Sequence, residues 1–211
     1  MASDLEFRQR QLVERIRAST QIEDPRILSA FARVPRHEFL SAAQSPIAYE
    51  DRAVPLDEGQ TVSQPSMIAI MLGELMCEPT QRVLEVGAGS GYAAAVLGQL
   101  VAEVYAIELR PTLAARARAN LARSGASNVT VIEGDGSAGL AAHAPYDRIL
   151  VSAAPKQVPE PLWAQLAAGG RIAIPVGDEH AQTLLVGEKM ASGEIDWRRT
   201  VPCIFVPLVT G

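Results

Sequence analysis

Three alternating glycines, Gly87, Gly89 and Gly91, follow the apolar run Val83-Leu84-Glu85-Val86 and lead into the Ala-rich stretch Ala93 to Leu97. Strand, glycine turn and helix in that order let a ligand lie against backbone that carries no Cβ atoms, close to a helix N-terminus. The spacing is G-x-G-x-G, which is not the dinucleotide G-x-G-x-x-G. No Lys-Ser/Thr follows, so the run is not a phosphate-gripping loop. Glu85, inside the strand just before the glycines, suits a ligand with a cationic amino acid part. Taken alone, the glycines read equally well as a tight strand-to-helix turn.

Carboxylates further on bear on that choice. Glu108 ends the run Val104-Tyr105-Ala106-Ile107, where an acid can accept from both hydroxyls of a ribose. Asp135, in Glu133-Gly134-Asp135-Gly136, falls just past a third strand and can accept from an adenine amino group; a plain Asp-Gly turn is the competing reading. Asp147 precedes a fourth strand, at the wrong end for a ligand, and reads as a turn residue. S-adenosylmethionine has the cationic amino acid part that NAD lacks. After the fourth strand, Ser152-Ala153-Ala154-Pro155 stands where methyltransferases of amide or base nitrogens carry Asn/Asp-Pro-Pro-Tyr, which suggests a nucleophile needing less help. Upstream, Gln60-Thr61-Val62-Ser63-Gln64-Pro65 enters a helix over Ser66 to Met76. The hydroxyls of Thr61, Ser63 and Ser66 either cap that helix or face a ligand, and the two readings stand level.

The elements that must position these residues follow from periodicity. An amphipathic helix over 3–19 and a second started by Asp24-Pro25 precede an irregular stretch, 36–64, anchored by Phe39, Leu40, Ile47, Tyr49, Val54 and Leu56. Strands at 82–86, 104–108, 129–133, 148–152 and 171–175 alternate with helices at 92–100, 111–123 and 159–166. Segments 183–188 and 201–208, separated by Ser192-Gly193, read as an antiparallel hairpin. The fold class expected is α/β: a Rossmann-like, mainly parallel, doubly wound sheet with an antiparallel edge hairpin and N-terminal helices. A single domain, 1–211, is expected, with 1–65 forming a helical and substrate-cleft segment and 66–211 the cofactor-binding core.

Composition narrows the partners. A net charge of −5 over 211 residues argues against a nucleic-acid binder. Arg8-Gln9-Arg10 and Arg198-Arg199 read as solvated faces. Cys77 and Cys203 are far apart and read as reduced, buried residues, and three dispersed histidines give no metal site. Charges at Asp4, Glu6, Arg8 and Arg10 exclude a secretory signal, and no apolar run is long enough to span a bilayer, so a cytoplasmic protein without membrane partners is expected.

Several segments together resemble the protein-L-isoaspartate O-methyltransferase family over nearly the whole chain. They are Val34-Pro35-Arg36-His37-Glu38-Phe39, Ala48-Tyr49-Glu50-Asp51, Gly59 to Pro65, Val83 to Tyr92, Gly134-Asp135-Gly136, Ala153-Ala154-Pro155, Pro175-Val176-Gly177 with Gln182-Thr183-Leu184, and Phe205-Val206-Pro207-Leu208. The glycine motif is shared by many methyltransferases, whereas the Thr61 to Pro65 segment is close to diagnostic. The resemblance implies S-adenosyl-L-methionine as cofactor, S-adenosyl-L-homocysteine as product, and isoaspartyl peptides and damaged proteins as substrates. It implies Ser63 as the active-site serine, with Thr61 and Val62 lining the cleft and Gln182 in a closing loop. Around the cofactor it places Glu85, Gly87, Ala88, Gly89, Ser90, Glu108, Leu109, Gly134, Asp135 and Gly136. A monomer is expected on the same grounds. One departure stands out: Asp57 replaces the family's usual Gly, with Glu58 beside it, and the added negative charge is expected to weaken binding of an anionic substrate. The sequence ends shortly after Leu208, and no C-terminal extension is expected. Competing readings are a carboxyl methyltransferase of a dedicated peptide or small acid, a non-catalytic adaptor on the same fold and, more distantly, a nicotinamide-dependent reductase.

Overall fold

Runs rich in β-branched and aliphatic residues alternate with Ala- and Leu-rich runs from residue 82 onward, and strands and helices form accordingly. A computed structural model describes residues 2–211. Helices α1 (Ala2–Thr20) and α2 (Pro25–Arg33) come first. A short antiparallel hairpin, β1 (Val54–Pro55) and β2 (Thr61–Val62), then leads into α3 (Pro65–Leu75). The alternating series is β3 (Arg82–Val86), α4 (Tyr92–Gly98), β4 (Glu103–Glu108), α5 (Pro111–Ser124), β5 (Val129–Glu133), β6 (Tyr146–Val151), α6 (Glu160–Ala164) and β7 (Leu166–Gly177). Strands β8 (Gln182–Lys189) and β9 (Ile195–Cys203) complete the sheet.

Seven strands lie in the order β5-β4-β3-β6-β7-β8-β9. All pairs from β5 to β7 are parallel, and β7-β8 and β8-β9 are antiparallel. The chain moves outward from β3 to β4 and β5, then returns to place β6 on the other side of β3. Such a reversal opens a crevice at the carboxyl ends of the central strands. The glycine turn leaves β3 there.

Side chains alternate across the sheet. Val83 and Leu150 face one side, under Leu72, Ala94, Leu97 and Ala114, and this core continues to Leu12, Ile16 and Phe31 of the N-terminal helices. Leu84, Val86, Ile149, Val151, Ile172 and Ile174 face the other side, with Leu162 of α6. Glu85 therefore shares the α3 and α4 side with Val83. Among the described residues no helix is long and apolar enough to cross a membrane.

Three boundaries differ from the sequence expectation. The edge strand is Ile195–Cys203 and not 201–208, because Asp196, Arg198 and Arg199 sit on an exposed outer strand where charges discourage edge pairing and mask the alternation. Residues 206–208 instead cross the end of β6: Ala154 N donates to Val206 O at 2.8 Å, and Leu208 N donates to Ala154 O at 2.9 Å. Helix α6 stops at Ala164, and β7 begins before Gly169-Gly170, with its register against β6 shifting between Tyr146 and Arg148. The irregular stretch 36–64 is built from short 3-10 turns, Arg36–Phe39, Ala42–Ile47 and Asp57–Gly59, around the β1–β2 hairpin.

Candidate active site

The turn after β3 is held by its neighbours. The amides of Gly87 and Ala88 both donate to the Ile107 carbonyl, at 2.9 and 3.2 Å. Gly89 N donates to Glu108 Oε2 at 2.8 Å, and Arg110 N donates to Glu108 Oε1 at 3.1 Å. Asn120 Nδ2 of α5 secures the Ser90 carbonyl at 2.9 Å. Gly87, Gly89 and Gly91 have φ of 90°, 54° and 85°, the left-handed region that other residues adopt only under strain. At Gly136 the demand is for space: a Cβ would stand 2.5 Å from Val86 Cγ1 and 3.0 Å from Ile107 Cγ2.

Two lobes of one cleft meet at this turn, sharing Thr61, Gly87, Gly89 and Ser152 as walls. One lobe is bounded by Glu108, Leu109, Gly136, Ala153 and Val206 to Val209. The other is bounded by Val62, Ser63, Glu85, Ala88, Ser90 and Tyr92. Glu85 is fully buried, and neither of its carboxylate oxygens has a hydrogen-bond partner. Burial, then the neighbouring Glu108 charge, holds its carboxyl well above the ordinary range. The Ser152 hydroxyl on the shared wall opposes this only weakly, since it falls short of a hydrogen bond to either oxygen. An unpaired buried carboxylate is costly. A ligand ammonium in this lobe would satisfy it.

Ser63 lies between β2 and α3, and the sequence left its hydroxyl between capping and ligand contact. Capping falls to a distant residue: Asp51 Oδ1 accepts from Ser66 N at 2.8 Å, and Asp51 Oδ2 accepts from Gln64 Nε2 at 3.2 Å. No side chain of the N-cap residue Gln64 caps α3. The Ser63 side chain is left on the cleft wall.

Three of the expected residues stand apart from these walls. Gly134 and Asp135 lie behind Gly136, with Asp135 accepting from Ser137 N at 2.8 Å and Gly211 N at 3.0 Å. Those donors, Ser137 foremost, hold its carboxyl below the usual range. Gln182 is buried at the start of β8. Its amide donates to the carbonyls of Asp178 and Phe205, each at 3.0 Å, and accepts from Phe205 N at 2.7 Å. It borders a neighbouring cavity of about 960 Å³ with Gln64, Lys156, His180 and Arg199. A cavity of about 510 Å³ between α2 and α3 is larger than either lobe of the cleft, but it contains none of the residues singled out for chemistry. Asp147 is structural, accepting from Arg82 N at 2.8 Å.

Asp57 and Glu58 depart from expectation in effect. Asp57 pairs with Arg116 at 3.0 Å, and Glu58 pairs with Arg110 at 2.9 Å and with the Thr112 hydroxyl. The Thr112 hydrogen bond, then Arg110, holds the Glu58 carboxyl below its usual range. Their charge is matched by α5 and its lead-in. Arg36 and Asp51 fall within segments that carry the family resemblance, but no spacing rule reveals the burial of Arg36 or the reach of Asp51 to α3.

The family model for protein-L-isoaspartate(D-aspartate) O-methyltransferase matches residues 7–211. The chain is 52% identical over 190 residues to the protein-L-isoaspartate O-methyltransferase of Roseiflexus castenholzii, covering 90% of this chain and 87% of that one. A solved protein-L-isoaspartate O-methyltransferase superposes with a TM-score of 0.86 at 28% identity over 94% of this chain; the chain spans 65% of that structure, just under two thirds of its length. A Plasmodium falciparum structure in complex with S-adenosyl-L-homocysteine shares the fold, with a TM-score of 0.85 at 24% identity over 96% of this chain and 99% of that one. With the glycine turn, the buried acid and the serine on one cleft, the chain belongs to the protein-L-isoaspartate(D-aspartate) O-methyltransferase family.

Proposed function

We propose that the chain transfers a methyl group from S-adenosyl-L-methionine to the free carboxylate of L-isoaspartyl residues in damaged proteins and peptides, releasing S-adenosyl-L-homocysteine. The observation that carries this reading is the placing of Ser63 and the unpartnered Glu85 carboxylate on the walls of one lobe, beside the glycine turn. Glu85 receives the cofactor's ammonium, and Glu108 receives its ribose hydroxyls. The backbone of Gly87, Ala88, Gly89 and Ser90 lies alongside. Leu109 and Gly136 border the adenine end, and Gly134 and Asp135 support it from behind Gly136, Asp135 by bracing the turn through Ser137 N. Thr61 and Val62 border the substrate, and Gln182 braces the loop beside it.

When bound, S-adenosyl-L-methionine supplies an electrophilic methyl group on a cationic sulfur. The substrate carboxylate is ionised at neutral pH, since free carboxyl groups titrate near roughly pH 4, so the chain needs to supply no strong base. Ser63 donates a hydrogen bond that orients this carboxylate. Buried Val62, Val86 and Ala153 exclude water from a reaction in which opposite charges neutralise. Ser63 is no acyl nucleophile, because it lacks the G-x-S-x-G context of a nucleophile elbow.

The pairing of Asp57 with Arg116 and of Glu58 with Arg110 offsets the negative charge expected to weaken binding of an anionic substrate, which supports the isoaspartyl reading. Action as a monomer in the cytoplasm, without nucleic-acid partners, is part of the proposal; two free cysteines fit a reducing compartment, and the net charge of −5 disfavours nucleic-acid contact. Replacing Ser63 by Ala tests the assignment: kcat on an isoaspartyl peptide should fall about 100-fold, while the affinity for S-adenosyl-L-homocysteine stays within about twofold. Equal loss of both would contradict it.

A further inference from the structure

We propose that Arg36 is a positioning residue for methyl transfer, holding Ser63 in place by its backbone carbonyl from beneath the β1–β2 hairpin. The inference rests on the assignment of Ser63 to the substrate carboxylate.

Arg36 follows α2 and has no exposed surface. Its Nη1 donates to the carbonyls of Ala48 at 2.9 Å and Glu50 at 3.1 Å. Its Nη2 donates to those of Arg52 at 3.0 Å and Ser63 at 3.2 Å. All four acceptors are backbone carbonyls from the segment that carries Ser63. The last two flank the hairpin, whose ladder is only Val54 opposite Val62 and Pro55 opposite Thr61. A ladder that short, with a proline that lacks an N–H, does not hold itself together. Nη2 ties its open end, one bond to each side.

The far side of Ser63 is fixed by Asp51, whose carboxylate engages Gln64 and Ser66 and whose neighbours Glu50 and Arg52 are themselves held by Arg36. Ser63 is thus gripped through its carbonyl by Arg36 and through the next residues by Asp51. Arg36 also reaches the cleft floor: its Cζ lies 5.6 Å from the centre of the Tyr92 ring, and Tyr92 lines the lobe with Ser63.

Among the described residues the guanidinium forms no ion pair, Asp51 acting on it only at longer range, and its Nε has no partner. Enclosing an unpaired cation is unfavourable, and apolar side chains would fill the space at lower cost. A planar fork can gather carbonyls from separated points of one loop, which a lysine ammonium on a flexible stem cannot. The feature this arrangement serves is the geometry of the loop that presents Ser63.

The test is a cycle of Arg36→Lys, Ser63→Ala and the double variant, with kcat and KM on an isoaspartyl peptide and calorimetric binding of S-adenosyl-L-homocysteine. Arg36→Lys should bind at full stoichiometry with affinity within about twofold, and lose about tenfold or more in kcat. In the Ser63→Ala background the same substitution should cost less than about threefold, since the two act through one contact. Where Arg36→Lys does not bind at full stoichiometry, Arg36→Gln, which keeps one amide donor, is read in the same cycle. Equal cost in both backgrounds, or loss of binding in step with kcat, would overturn the inference alone. An unimpaired Ser63→Ala enzyme would overturn the Ser63 assignment and the inference with it.

Discussion

Gly89 donates its amide to the Glu108 carboxylate at 2.8 Å, so the acid that ends β4 also shapes the glycine turn that leaves β3. Replacing Glu108 by Gln removes the charge from one oxygen pair and sets an NH2 group against an N–H donor. Hydrogen bonds to charged groups contribute about 1.5–3 kcal/mol. The affinity for S-adenosyl-L-homocysteine, read by calorimetry, should therefore fall about 10- to 100-fold. An unchanged affinity would mean that Glu108 does not serve the cofactor.

Glu85 links cofactor binding to pH. Its folded-state carboxyl titrates above the ordinary range, so the stability it contributes is complete below the unfolded glutamate value, near roughly pH 4. That contribution is lost as pH rises through the raised folded value. A bound ammonium reverses the preference. The Tm increase produced by S-adenosyl-L-homocysteine should grow as pH rises above the ordinary carboxylate range, and Glu85→Gln should flatten that growth. Parallel curves for the two proteins would exclude the linkage.

Much of this architecture is legible in the sequence, because the βα series from Arg82 to Val151 is dictated by period and turn chemistry, and Glu108 falls where a strand must end. Other features depend on tertiary contact. Asp51 caps α3 from a separate loop, Arg36 is buried beneath a hairpin, and Asp57 and Glu58 meet α5 and its lead-in. The strand at Ile195–Cys203 is concealed by charges suited to an exposed edge. Ser63 is singled out by the family motif alone, since local spacing leaves its hydroxyl equally suited to capping.

The pairing of Asp57 with Arg116 implies little effect on substrate. Asp57→Gly should change kcat/KM for an isoaspartyl peptide by less than about threefold, as exposed pairs of this kind contribute little. A rise of about tenfold or more would restore charge repulsion at the cleft mouth.

Gly136 has no room for a side chain between Val86 and Ile107. Gly136→Ala should destabilise the protein by about 1–3 kcal/mol in chemical denaturation, through overpacking at the floor of the cleft. Wild-type stability in this variant would show that the turn gives way freely.

The measurement closest to the central claim is methyl transfer from labelled S-adenosyl-L-methionine to matched isoaspartyl and aspartyl peptides. Base-labile label on the isoaspartyl peptide alone is the expected result. Equal labelling of both peptides, or none on either while S-adenosyl-L-homocysteine still binds, would contradict the substrate assignment and leave only the cofactor half standing.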